Sequence, residues 1–160
     1  MSKPTQDINE ISQHIWPLTA KRNSAGVLEI GGLDVKNINS TNPTPIFVMD
    51  EADVISRVQR YLKSFSIQSH GSKLTKPTRI YYASKAFIAS RFAKLLDEQG
   101  LYFDVATEGE LRTVLAAGVD PSHIIFHGNN KLVSEIAFAL DKKVGLFVID
   151  SFFEIARISQ

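Results

Sequence analysis

From Pro45 onward the chain alternates short apolar runs with amphipathic stretches at a spacing of roughly 20–25 residues, and this alternation constrains the fold more than any other feature. Pro45–Met49 is an apolar run ending at Asp50, a good helix N-cap. Val54, Ile55, Val58, Tyr61, Leu62 and Phe65 then recur at helical spacing. Residues 66–78 are polar, with Gly71 and Pro77, and predict a loop. Residues 79–84 read as a strand closed by Lys85. A helical stripe of Ile88, Phe92, Leu95 and Leu96 stops at Gly100. Residues 101–106 read as the next strand, and Thr107 to Glu110 matches a capping box opening a helix with Leu111, Val114 and Leu115. A third strand spans 124–127, before a helix carrying Leu132, Val133, Ile136 and Leu140. Residues 144–149 form the fourth, and Asp150 or Ser151 caps a helix with Ile155 and Ile158 on its apolar side. Such alternation predicts a parallel sheet covered on both faces, either doubly wound or closed as a barrel.

The first 44 residues have another texture, punctuated by Pro17, Gly26, Gly31, Gly32 and Pro43, with Val27–Val35 alternating weakly as a hairpin or edge strand would. We therefore expect two parts, residues 1–44 and 45–160. The chain ends inside a helix without a stop signal, which predicts the front portion of something larger.

Eighteen basic and seventeen acidic side chains leave a net charge of +1, so no electrostatic footprint points to nucleic acid or to an anionic membrane. The chain has no cysteine, which excludes disulfides, thiol catalysis and Cys-based metal sites. Residues 1–10 lack the apolar core of a secretory signal, and no apolar run approaches the roughly 20 residues of a membrane span. The expectation is a soluble cytoplasmic protein. No pair of histidines has metal-ligand spacing, and no Walker, G-x-G-x-x-G, G-x-S-x-G or H-E-x-x-H pattern occurs.

In parallel α/β folds, chemistry gathers where strands run into the loops before helices. Lys85, the Asp104–Glu110 segment, His127–Lys131 and Asp150–Ser151 would all lie on one such rim. A lysine leaving an apolar strand into a pocket can lose solvation and become nucleophilic toward a carbonyl, although a solvated loop lysine has the same sequence. Asp104, inside an apolar strand, could orient a cationic amine or merely bond a neighbouring backbone group. Glu110 could share that role or only complete the cap. His127 and Asn129 could present donors to a substrate, or belong to a plain turn.

These segments together resemble one family. Residues 81–87 (YYASKAF) are similar to the Schiff-base lysine motif of pyridoxal-phosphate decarboxylases with the alanine-racemase-like barrel, and residues 102–111 (YFDVATEGEL) to their second-strand motif. Residues 127–131 (HGNNK), Trp16-Pro17, the Ile30–Gly32 turn and residues 44–51 narrow the resemblance to the diaminopimelate decarboxylase family. Phe87 departs from an Asn common in relatives, and Thr107 from Ser.

The resemblance implies the first part of a (β/α)8 barrel, about four βα units, preceded by a segment that joins a C-terminal β-domain. It implies pyridoxal 5'-phosphate held by Lys85, with Asp104, Glu110 and His127 near the cofactor and Asn129 on the substrate side. The implied reaction converts meso-diaminopimelate to L-lysine and CO2 in a homodimer. The family's second-half histidine, glycine-rich phosphate loop, acidic partner of the pyridine nitrogen and Arg-containing segment find no counterpart here, so the chain alone is expected to be inactive. A decarboxylase of ornithine or arginine type, a non-catalytic pyridoxal-phosphate barrel and a purely structural domain are the competing readings.

Overall fold

A computed structural model of the protein describes residues 10–12, 14–41, 43–66 and 78–159. The leader reading of residues 1–9 and most of the predicted 66–78 loop, with His70, lie outside the described residues. The chain divides into two compact units, Met1–Arg57 and Val58–Gln160.

In the first unit, strands β1 (Lys21–Arg22), β2 (Leu28–Ile30) and β3 (Leu33–Asp34) form a small antiparallel sheet in that order. The predicted hairpin is β2–β3. Ile30 pairs with Leu33 across Gly31 and Gly32, whose φ values of 61° and 77° are those a two-residue turn of this twist demands. Helix α1 (Val35–Thr41) follows at once. Ile46–Met49 is not in a strand, and Phe47 is 98% exposed. An apolar run becomes a strand only when a neighbour takes up its backbone groups, and no such pairing exists among the described residues.

Asp50 caps α2 (Glu51–Ser66) as expected, its Oδ1 accepting the N–H groups of Ala52 and Asp53. Its Oδ2 accepts the Thr19 hydroxyl at 2.5 Å and the Thr19 N–H at 3.1 Å, and the Thr19 hydroxyl oxygen accepts the Gly31 N–H at 2.6 Å. One buried carboxylate thus joins the hairpin turn to a helix start. The predicted apolar stripe of α2 is only partly used, since Val58 is buried whereas Tyr61 and Phe65 are exposed.

The second unit is a parallel sheet of four described strands, β4 (Tyr81–Ala83), β5 (Tyr102–Val105), β6 (Ile124–Phe126) and β7 (Leu146–Phe147), paired in chain order. Each register step is 21 residues: Tyr81 faces Tyr102, Phe103 faces Ile124 and Ile125 faces Leu146. A doubly wound sheet reverses its order at a switch point. Four consecutive strands without reversal are instead the arrangement of a singly wound, barrel-type wall. Between them lie α3 (Ser90–Glu98), α4 (Glu108–Ala116) and α5 (Val133–Asp141), with α6 (Phe152–Ile158) after β7.

Period-two alternation sorts the strand residues. Phe103, Val105, Ile124 and Phe126 are fully or almost fully buried, as are Ala93, Leu96, Leu111, Val114, Ile136 and Ala139 of the helices. At about 1.5–3 kcal/mol for each large apolar side chain, this layer holds the unit together. The opposite face, with Tyr81, Ala83, Tyr102, Asp104 and Ile125, is only half-buried, so the predicted cover on both faces is not present.

Several helix faces also differ from the periodicity. Leu132, Val133, Leu140 and Ile155 are exposed, while Ile136, Ala139 and the charged Glu154 are buried. The strands are shorter than the apolar runs, β7 most of all. Helix α3 ends at Gly100 and α4 at Gly118, both at positive φ, but the equivalent position after α5 is Lys143 at φ 58°. Its N–H bonds Leu140 O, and the next N–H, of Val144, bonds Ala139 O, which closes a Schellman motif without the usual glycine.

Candidate active site

The C-terminal ends of β4, β5 and β6 and the loop after β7 surround a concavity of about 300 Å³ lined by Ala83, Lys85, Asp104, Ala106, His127, Gly128, Asn129 and Asp150. Lys85, Asp104, His127, Asn129 and Asp150, all placed on the rim from the sequence, meet here. Lys85 is placed by a 3-10 turn, Ser84–Ala86, that follows β4 directly. Tyr82 OH donates to Phe87 O at 2.9 Å and closes that turn over the strand end. Lys85 is exposed, and its Nζ makes no hydrogen bond or ion pair within the described residues. The desolvation expected of it is not supplied by these residues, but no neighbour sequesters the amine.

Asp104 lies opposite Ala83 in the β4–β5 register and lines the same concavity as Lys85. Its Oδ1 is 3.6 Å from His127 Nδ1. That is too long for a hydrogen bond and becomes an ion pair when His127 is protonated. The His127 N–H bonds Val105 O at 2.8 Å, continuing the β5–β6 ladder one residue beyond the strand. Gly128 follows at φ 106°, and a Cβ there would sit 2.9 Å from Ala106 O. The loop therefore crosses the end of β5 at a distance only glycine allows.

Glu110 is not among the lining residues. Thr107 caps α4, its Oγ1 accepting the Glu110 N–H at 3.2 Å, but the Glu110 carboxylate accepts the Ala106 N–H at 2.7 Å instead of that of Thr107. The predicted capping box thus reaches one residue further back and fixes Ala106 from outside the concavity. Glu135 acts similarly. Its two oxygens accept the N–H groups of Glu108 and Leu132, tying the starts of α4 and α5 together.

Sequence reasoning missed a second polar group beneath the rim. Lys131 is 3% exposed and donates to Gly128 O at 2.7 Å, Val148 O at 2.8 Å and Glu154 Oε1 at 2.6 Å. Glu154 Oε2 accepts the Asp150 N–H at 2.8 Å, and Ser151, not Asp150, caps α6. Burial alone would raise the Glu154 carboxyl, but the Lys131 ammonium and the Asp150 N–H hold it below the usual glutamate value. The Ser151-x-x-Glu154 spacing announced the cap, yet nothing in the spacing announced the burial. Among the described residues no group of three His, Cys, Asp or Glu could hold a metal ion.

A lysine amine, a carboxylate and an imidazole thus share the rim of a sequentially ordered parallel sheet, the place where α/β proteins of this architecture gather their chemistry. Residues 51–160 match the family model of the pyridoxal-dependent decarboxylase, pyridoxal binding domain, and the chain belongs to that family. It is 43% identical to diaminopimelate decarboxylase of Staphylococcus aureus, over 89% of this chain and 32% of that protein. It is 40% identical to the Bacillus subtilis diaminopimelate decarboxylase, over 88% of this chain and 30% of that one. The crystal structure of the M. jannaschii diaminopimelate decarboxylase in complex with L-lysine superposes with a TM-score of 0.79 at 28% identity, covering 88% of this chain and 32% of that one. The chain spans about a third of the length of the curated relatives it matches.

Proposed function

We propose that this chain supplies the lysine-bearing part of the pyridoxal-binding barrel of a diaminopimelate decarboxylase, which releases CO2 from meso-diaminopimelate to give L-lysine. The observation that carries the reading is Lys85 Nζ, unpartnered within the described residues and facing a concavity shared with Asp104 and His127. The identity of the relatives supports meso-diaminopimelate as the substrate. The residues present fit pyridoxal phosphate, because the donor set offers a primary amine for its carbonyl and a carboxylate to balance a nearby positive charge. When bound, the cofactor's pyridine ring accepts the electron pair left behind as the carboxylate departs.

In this reading Lys85 Nζ, as the neutral amine, would hold the cofactor through its carbonyl carbon, whose oxygen would leave as water, and would bind a proton once a substrate amine had taken its place. Asp104 compensates the charge of whichever amine occupies that place. His127 walls the side of the concavity toward β6, Asn129 meets the substrate, and Glu110 acts only through Ala106. Residues 1–44 would serve a β-rich domain and residues 45–160 the barrel of a cytoplasmic homodimer. The antiparallel β1–β3 sheet supports that division, and no described helix is long and apolar enough to cross a membrane.

The test replaces the matched third of the S. aureus enzyme with this chain. The chimera is expected to release CO2 from meso-diaminopimelate and to lose that activity on Lys85→Ala without a large fall in melting temperature. Borohydride reduction with pyridoxal phosphate should fix the cofactor to the peptide containing Lys85. Label on Lys94 or Lys131 instead, or turnover of ornithine but not of meso-diaminopimelate, would overturn the reading. This chain alone is expected to release no CO2.

A further inference from the structure

The ladder between β6 and β7 ends with the Val148 N–H on Phe126 O at 2.9 Å. Beyond that bond the two strands lead into loops that supply Gly128, Asn129 and Asp150 to the concavity. What joins these loops is the Lys131–Glu154 pair. The three Nζ protons of Lys131 reach one acceptor in the first loop, Gly128 O, one at the exit of β7, Val148 O, and one on α6, Glu154 Oε1. The second oxygen of Glu154 holds the Asp150 N–H, and Arg157 Nη1 reaches Lys131 O at 3.3 Å. The ammonium also lies 5.8 Å from the ring centroid of Phe126, which is fully buried.

Every donor of the ammonium and both oxygens of the carboxylate are used, and three of these bonds go to main-chain atoms of two separate loops. A buried ion pair adds little net stability over well-packed apolar side chains of the same size. This pair instead sets the spacing of two loops after the sheet has stopped doing so.

We propose that Lys131 and Glu154 are positioning residues, which hold Gly128–Asn129 and Asp150 at the separation that capture of pyridoxal phosphate by Lys85 requires. The proposal rests on the reading of Lys85 given above. A shift of about 1 Å in such a wall can cost about a hundredfold in a positioned reaction, so a loss of roughly tenfold or more in trapping at Lys85 is expected when the pair is removed.

The experiment compares the full chain with Lys131→Met/Glu154→Leu, which replaces both charges by apolar groups of similar length. Melting, affinity for pyridoxal phosphate read by borohydride trapping at Lys85, and amide hydrogen exchange at Val148 and His127, whose N–H groups bond Phe126 O and Val105 O, are measured on each. A melting temperature close to the parent's, with weaker trapping and faster exchange at those two amides but not in β5, supports positioning. Trapping equal to the parent's overturns it. If the double variant does not fold, Lys131→Arg decides, since it keeps the charge and changes the geometry: weaker trapping supports the proposal and unchanged trapping overturns it. A parent chain that traps no cofactor would count against the reading of Lys85. Exchange at Val148 and His127 then decides alone, and unchanged exchange in the variant overturns the pair's role.

Discussion

The two units solve the same problem with different means. Among the described residues of 58–159 fourteen apolar side chains are buried, most of them facing each other across the β4–β7 sheet and its helices. In the described part of residues 10–57 none is, and the one buried side chain is the carboxylate of Asp50. The second unit therefore owes its order to area removed from water, the first to a few directed hydrogen bonds. Burial is roughly additive and tolerates loss at one edge, whereas a hub of hydrogen bonds fails when its central acceptor goes.

The largest test of that contrast is Phe103→Ala. Phe103 is 0% exposed, and truncating it should cost about 3–5 kcal/mol, read by chemical denaturation. Phe47→Ala in the first unit should change stability by less than about 0.5 kcal/mol. A comparable cost at both positions would show that the first unit buries Phe47 in solution and would erase the distinction. Next comes Asp50→Ala, expected to cost about 2 kcal/mol, near the upper end for a helix cap because the carboxylate also holds Thr19. The loss should show as faster amide exchange at Thr19, Gly31 and Ala52, with β5 unaffected.

Acid should give a smaller version of that effect, because a protonated carboxyl keeps part of its acceptor capacity. At Asp50, burial alone would raise the carboxyl, but the Thr19 hydroxyl and the N–H groups of Thr19, Asp53 and Ala52 outweigh it and hold it below 3.8. Glu154 is held below 4.5. Depressed groups contribute fully above their ordinary values and lose that contribution as pH falls through the folded ones. Melting temperature should therefore begin to drop below pH 4.5, with Glu154→Gln and Asp50→Asn flattening the slope. A profile unchanged by either substitution would place the acid response elsewhere. The smallest expected effect is a gain. Lys143 bears a left-handed conformation that costs a side chain about 1–2 kcal/mol. Lys143→Gly, after the entropy glycine loses on folding, should add roughly 0.5–1 kcal/mol to the second unit. Equal or lower stability would mean that the Lys143 side chain contributes more than its backbone costs.

Much of the second unit was legible because its signals are short-range. The strand–helix alternation, the Gly100 and Gly118 stops and the Thr107 cap each depend on a few neighbouring residues, and each stands where the spacing put it. Lys85, Asp104, His127 and Asn129 fell together for the same reason, since strand ends in such a sheet share a rim. What the sequence hid depends on partners far away. Charged residues are read as exposed by default, so Lys131 and Glu154, 23 residues apart, gave no sign of meeting in the interior. Leu132 and Val133 look like core and are exposed, because helical periodicity marks an apolar stripe without saying what covers it. Ile46–Met49 has strand composition but no pairing neighbour among the described residues. Glu110 was misplaced by one residue of reach, a difference no propensity encodes.

The constant 21-residue step between paired strands also bears on how the sheet comes into being. Each new strand has its partner immediately behind it in the chain, so as the polypeptide emerges from the ribosome every strand finds its docking edge already made. Each closure spans a loop of the same length and so carries the same entropic cost. The sheet can grow in equal increments from β4 toward β7, one βα unit at a time, with no strand waiting for a distant one to be synthesised.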